Sequence, residues 1–275
     1  MQEIDADKIR QMVRAWYAQT AAAGPCGCRP DPAKSCCGAS PGTADSMNLV
    51  MGYSRQELSS VVDGANLGLG CGNPTAMANL KQGEVILDLG CGGGFDCFLA
   101  AQKVGDRGRV IGVDMTPEML AKARENAAKM GATNVEFRLG EIEHLPVADN
   151  SVDIIISNCV INLSPEKKQV FQDAYRALKP GGRLAISDVV ATAKMPDQLR
   201  EQTALLTGCI AGAEHIDRIR ELLGEPGFEK VSIEIKPHSK ELIRQWFPGS
   251  GAENYVASAA IEAFKPSGSI TLLPS

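Results

Sequence analysis

The chain has 275 residues, 44% hydrophobic and 22% charged, enough for one α/β domain plus about a hundred residues of additions. A net charge of −5 with no basic cluster argues against nucleic acid or an anionic membrane as partner. No apolar run reaches the roughly 18 residues a membrane span needs, and the start Met1-Gln2-Glu3-Ile4-Asp5 lacks a signal peptide's basic and apolar regions, so a cytoplasmic location is expected.

Asp7 to Ala23 has the periodicity of an amphipathic helix, with Ile9, Met12, Val13, Trp16 and Tyr17 on one stripe. The Gly/Pro/Cys-rich stretch from Gly24 to Thr43 predicts a mobile loop. Ser54-Arg55-Gln56-Glu57 fits a capping box. A Gly-rich turn from Gly68 to Pro74 carries Cys71, and Pro74 opens a short helix. From Glu84, strands (85–88, 109–113, 134–139, 152–157, 183–190) alternate with helices (94–103, 117–130, 165–178). The β-branched runs Val85-Ile86-Leu87 and Val152 to Ile156 suit a parallel sheet covered on both faces. Thr116-Pro117 supplies an N-cap and an N1 proline, and Pro180-Gly181-Gly182 stops a helix. After 190 the pattern predicts helices at 197–206 and 214–223, strands at 229–235 and 255–263, and a disordered tail from Pro266. The fold class is α/β and Rossmann-like, with an N-terminal cysteine-rich extension and a C-terminal α+β addition.

Asp88-x-Gly90-Cys91-Gly92-x-Gly94 ends the first strand and opens a helix, so backbone N–H groups can approach a ligand closely. A dinucleotide fingerprint needs glycine where Phe95 stands, which weakens a pyrophosphate reading. Asp88 sits before the glycines, where it suits a ligand ammonium held indirectly, and Asp114 ends the second strand, where a carboxylate accepts ribose hydroxyls. Ribose, a cationic amino-acid end and no phosphate together describe S-adenosylmethionine.

The segment from about 84 to 190 resembles class I S-adenosylmethionine-dependent methyltransferases. Val110-Ile111-Gly112-Val113-Asp114 resembles their second motif, and Leu178-Lys179-Pro180-Gly181-Gly182 a later turn. Gly140-Glu141-Ile142-Glu143-His144-Leu145-Pro146 resembles their adenine loop, with Glu141 where aspartate is usual. The resemblance implies a donor site that also takes in Cys91, Met115, Ile142, Glu143 and Asn158.

Nine cysteines are many for a reducing compartment, and their odd number leaves one free under any pairing. Cys36-Cys37, Cys71, Cys159 and Cys209 stand out. Cys159 follows the fourth strand over the methyl-donor crevice, while Cys71 and Cys209 lie in Gly-rich turns. Taken singly, each is most simply a buried inert thiol; as a set, they suggest a soft, thiophilic substrate. Ser157-Asn158-Cys159, Gly70-Cys71-Gly72-Asn73-Pro74, Cys36-Cys37 and the Gly208-Cys209 turn resemble the arsenite methyltransferases over residues 35–235. That resemblance implies As(III) bound by Cys159 and Cys209, with Cys71 as third ligand or redox partner. It also implies that Cys36 or Cys37 pairs with Cys71 during turnover.

Residues 1–80 would then cover the donor site, 81–195 form the methyltransferase domain, and 196–265 contribute to the arsenic site, with 266–275 as tail. Arsenic is expected as a thiol conjugate, thioredoxin or glutathione as the reductant, and ligand binding is expected to release protons. Cys91 packs beside the donor and Cys97 in the core. Cys26 and Cys28 with Cys36 and Cys37 are a weaker zinc candidate, since no C-x-x-C pair is present. Two other readings compete: methylation of a small organic acceptor, and a non-catalytic thiol protein that binds metalloid.

Overall fold

Seven strands, β1 (Val85–Leu89), β2 (Arg109–Asp114), β3 (Val135–Leu139), β4 (Val152–Asn158), β5 (Leu178–Ala191), β6 (Glu229–Ile235) and β7 (Val256–Phe264), form one sheet in the order β3-β2-β1-β4-β5-β7-β6. The computed structural model describes residues 5–23, 48–197, 209–246 and 248–268. Strands β1 to β5 run parallel, and β7 lies antiparallel between β5 and β6.

Alternation along each strand sorts side chains between two faces. Ile86, Val110, Ile154 and Ile156 pack under α4 (Phe95–Val104) and α5 (Pro117–Met130). Leu87, Leu89, Ile111, Val113 and Ile155 pack on the other face, with α6 (Lys167–Ala177) and α7 (Ile216–Gly224). Cover on both sides explains why these strands read as unbroken apolar runs. Phe98 and Phe171, both nearly inaccessible, anchor the two layers, and burial of a side chain that size contributes roughly 1.5–3 kcal/mol. The strand order reverses between β1 and β4, and the loops leaving their carboxyl ends diverge, which opens a crevice there.

The capping box at Ser54 opens α2 (Arg55–Ser59), and Asn73 caps α3 (Pro74–Met77). Elsewhere the structure departs from expectation. β5 begins at Leu178 rather than 183: Pro180-Gly181-Gly182 is taken up as a bulge between the Val152–Leu178 and Ile154–Arg183 pairs, a position where a strand tolerates proline. In α1 (Ala6–Ala23) Ile9, Val13 and Tyr17 of the expected stripe pack inward, while Met12 and Trp16 are 40% and 38% exposed. Arg10 joins the inward face, drawn there by carboxylates. α8 (Ser239–Trp246) was not expected; two turns give too short a periodic signal. Positions 198–206 of the helix expected at 197–206, the tail from 269, and Cys26, Cys28, Cys36 and Cys37 lie outside the described residues.

Candidate active site

A cavity occupies the crevice at the carboxyl ends of β1, β2 and β4. From the glycine loop, Asp88, Gly90, Cys91 and Gly92 line it. The Gly90 and Cys91 N–H groups donate to Val113 O at 2.8 and 3.0 Å, pinning the loop to β2. Asp114 and Met115 line it beyond β2, Ile142 and Glu143 beyond β3, and Asn158 and Cys159 beyond β4. Asp114 Oδ2 accepts Gly92 N–H at 2.9 Å and its Oδ1 accepts Thr116 N–H at 2.8 Å, so this carboxylate also ties the loop to the start of α5. Arg10, Val13 and Tyr17 of α1 close one side, and the segment 65–70 closes another.

Two expected donor residues stand apart. Glu141 does not line the cavity: its carboxylate pairs with Arg10 and Arg14 on α1, and charge attraction turns it away from the ligand space. Gly94 lies behind the loop, packed against Phe98 at the head of α4.

The cavity is acidic. Burial pushes the Asp88 carboxyl well above its usual value, Asp96 up to about 6, and Asp114 upward. The Cys97 thiol donates to Asp88 at 3.1 Å, while Tyr53 Oη and Asn158 Nδ2 donate to Asp96 at 2.7 and 3.0 Å. The cation in the wall, Arg10, is already engaged by Glu143 and Glu166. The Asn48 side-chain N–H group is buried at the cavity without a protein partner. Such a lining repels phosphate and suits a ligand carrying a positive charge and hydroxyls, and S-adenosylmethionine fits that description.

Behind Cys159, the three thiols Cys71, Cys159 and Cys209 share an apolar cluster with Val13, Leu163 and Ile210. Cys71 and Cys159 form a disulfide with a Cα separation of 5.9 Å. The resemblance implied that Cys36 or Cys37 pairs with Cys71 during turnover, and both lie outside the described residues. The turn of residues 68–74 lays Cys71 on the end of β4, and among the described residues Cys159 is the thiol within bonding reach. The Cys209 thiol donates to Cys159 O at 2.7 Å. Cys159 and Cys209 both have left-handed backbones, with φ of 56° and 67°, an uncommon state for non-glycine residues that concentrates at functional sites. Burial raises the Cys209 thiol well above its usual value.

Asp188 joins this group: one of its oxygens and the sulfurs of Cys71 and Cys159 lie within 4.8 Å of one another. Burial raises it to about 6 although Ile161 N–H, Val189 N–H and Asn162 Nδ2 donate to it. Cys71 is held by its backbone, with its N–H on Asn158 Oδ1 at 2.9 Å and its carbonyl accepting from Ser258 Oγ at 2.9 Å. Lys236 Nζ donates to Ser187 Oγ at 2.5 Å, and that oxygen lies 3.5 Å from Cys71 Sγ. Cys91 and Cys97 sit beneath the glycine loop, raised by burial to about 11 and well above the usual value respectively.

The sequence reading missed Arg10, Tyr17, Asp96, Asp188 and Lys236. Asp188 left a signal, a carboxylate inside the run Leu184 to Val190, where Ser187 is the other polar residue. Lys236 left none, because its approach depends on how β6 meets β5 through β7.

Residues 80–239 match the model of a methyltransferase domain family. The acidic cavity and the thiols stand on the fold of S-adenosylmethionine-dependent methyltransferases, and the chain is an enzyme of that class using that donor. The arsenite methyltransferase of Halobacterium salinarum is 53% identical over 95% of this chain and 68% of its own length. The chain belongs to the arsenite methyltransferase family. The arsenite methyltransferase of Aquipseudomonas alcaligenes is 46% identical over 58% of this chain, which spans 47% of that relative's length. A crystal structure of an arsenic(III) S-adenosylmethionine methyltransferase from Chlamydomonas reinhardtii superposes with a TM-score of 0.60 at 32% identity, covering 84% of this chain and 76% of that one.

Proposed function

We propose that this chain transfers methyl groups from S-adenosylmethionine to trivalent arsenic held by Cys71, Cys159 and Cys209. The observation that carries the reading is that three thiols from separate segments meet in one apolar cluster, and one of them lines the donor cavity. Asp114 holds the ribose hydroxyls, Asp88 and Asp96 face the cationic end, and the glycine loop lets the backbone come close. The bound donor supplies an electrophilic methyl on a positively charged sulfur. Thiols are soft ligands, and arsenic bound by three of them keeps a lone pair aimed at that methyl. No general base is needed to make the nucleophile, so the protein's work is alignment and exclusion of water, with Val13 and Tyr17 of α1 closing the cavity.

The thiol protons expected to leave on binding go to the groups that depart from arsenic. The buried Cys209 keeps its proton until arsenic arrives. Each bond exchanged at arsenic then carries a thiol proton away, in water from arsenous acid or in a free thiol from a thiol conjugate. Methyl transfer draws an electron pair from arsenic. Two ligand thiols return it by closing a disulfide, and Cys71 with Cys159 suit that role because they reach each other. Thioredoxin or glutathione then reopens the bond by exchange, consistent with a cytoplasmic setting. Among the described residues no helix is long and apolar enough to cross a membrane. The test is incubation with S-adenosylmethionine, As(III) and a dithiol reductant, followed by arsenic speciation. Methylated arsenicals are expected; inorganic arsenic alone would overturn the reading.

A further inference from the structure

We propose that Asn158 is a positioning residue that ties occupancy of the donor cavity to the placement of Cys71. This rests on the donor and thiol sites assigned above and concerns how they communicate. The Asn158 amide faces both sites. Its Oδ1 accepts the Cys71 N–H at 2.9 Å. Its Nδ2 lies 2.8 Å from Gly72 O, 3.0 Å from Asp96 Oδ2 and 3.0 Å from Tyr53 Oη. That is three acceptors for two hydrogens. Asp96, Tyr53 and Gly70 all line the donor cavity, while Gly72 and Cys71 belong to the thiol-bearing turn. A Cβ on Gly70 would stand 2.6 Å from Asn158 Nδ2, so glycine there lets the turn close onto the amide.

Competition for the two hydrogens supplies the link. In the free cavity Asp96, buried, feels Lys103 and Lys236 only through space and has no ion pair within 4 Å among the described residues, so it claims one of the two hydrogens. A ligand ammonium beside Asp96 satisfies that carboxylate and releases the hydrogen to Gly72 O and Tyr53. The amide then grips the turn on both sides of Cys71, through its N–H and through Gly72 O. Linkage is reciprocal, so a well-placed Cys71 turn also favours the donor.

The experiment follows Cys71 rather than arsenic. The full chain is reduced with a phosphine, and the rate of iodoacetamide labelling at Cys71 is read by peptide mass, with and without saturating S-adenosylhomocysteine. That ligand carries ammonium and ribose but no transferable methyl. Wild type should label about fivefold or more slowly with ligand bound, the lower range of typical coupling. Saturating adenosine, which lacks the ammonium, should leave the rate unchanged. Asn158→Ala should bring the ratio of the two rates close to one, and so should Asp96→Asn, which keeps the side chain's shape and decides the matter if Asn158→Ala does not fold. The ratio is the readout, because a merely loosened fold speeds labelling equally with and without ligand. The proposal is overturned by an unprotected wild type, by protection from adenosine equal to that from S-adenosylhomocysteine, or by variants that keep the wild-type ratio. A wild type that fails to bind arsenic while Cys71 is protected by ligand would count against the arsenic site and leave this linkage standing.

Discussion

The Cys209 thiol donates to the carbonyl of Cys159 at 2.7 Å, and both residues adopt left-handed backbones. The chain thus holds two thiol positions in a conformation that costs about 1–3 kcal/mol each, which packing must offset. Cys159→Ser and Cys209→Ser should abolish As(III) binding and every methylation step, because a hydroxyl does not replace a soft ligand. Cys91→Ser and Cys97→Ser should retain activity; serine at 97 keeps the hydrogen that Asp88 accepts. Intrinsic fluorescence titration with As(III) and arsenic speciation check this. Full activity in Cys159→Ser would refute the site.

At the donor site, a Cβ on Gly92 meets nothing in the protein within 4 Å, so the space it faces is the ligand's, and its φ of +50° adds strain for any other residue. Gly92→Val should weaken S-adenosylmethionine by an order of magnitude or more. Asp114→Ala should do the same, losing the ribose acceptor and the bonds to Gly92 and Thr116. Calorimetry decides, and unchanged affinity in both variants would remove the assignment.

The parts of this site that were legible in the sequence are those that local chemistry writes. Val85-Ile86-Leu87 before a glycine loop, and Asp114 at a strand end, depend on neighbours a few residues away. Arg10 could not be read the same way. A cation on a helical stripe reads as solvent-facing until Glu143 and Glu166, more than a hundred residues on, are placed beneath it. The same limit hid the Cys71–Cys159 bond, which spans 88 residues and depends on Asn158 drawing the turn onto β4. Glu141 shows the same limit: its loop was identifiable in sequence, but the α1 arginines that pair with it lie more than a hundred residues upstream.

Asp188 predicts a pH signature. Burial holds its folded-state value near 6, above the roughly 3.9 of an unfolded aspartate. The folded state therefore binds this proton more tightly. The contribution is complete below about pH 4, falls as pH rises through 6, and is absent above. Relative to Asp188→Asn, wild type should lose roughly 3 kcal/mol between those limits, from two units at 1.36 kcal/mol each. Asp96, also raised to about 6, is common to both proteins and cancels in the comparison. Urea midpoints of the reduced proteins across pH 4 to 7 test this, and parallel curves would show that Asp188 does not titrate there.

The last prediction separates the first methyl transfer from the second. As(III) offers three positions to protein sulfur, whereas methylarsenite offers two. Cys159 and Cys209 are already joined by the hydrogen bond from one to the other's carbonyl, and the two can hold methylarsenite without help. Cys71 comes from a different segment and is locked to Cys159 until the disulfide opens. Cys71→Ser should therefore block methylation of As(III) while sparing that of methylarsenite, and replacing Cys36 and Cys37 together should do likewise if they relay reduction to Cys71. In Cys71→Ser the electron pair must be returned by Cys159 and Cys209 themselves, so turnover on methylarsenite should continue only with a dithiol reductant supplied. Paired assays on the two substrates with thioredoxin present make the comparison. Equal loss on both would mean that one three-thiol site serves every step, with Cys71 as indispensable to the second methyl as to the first.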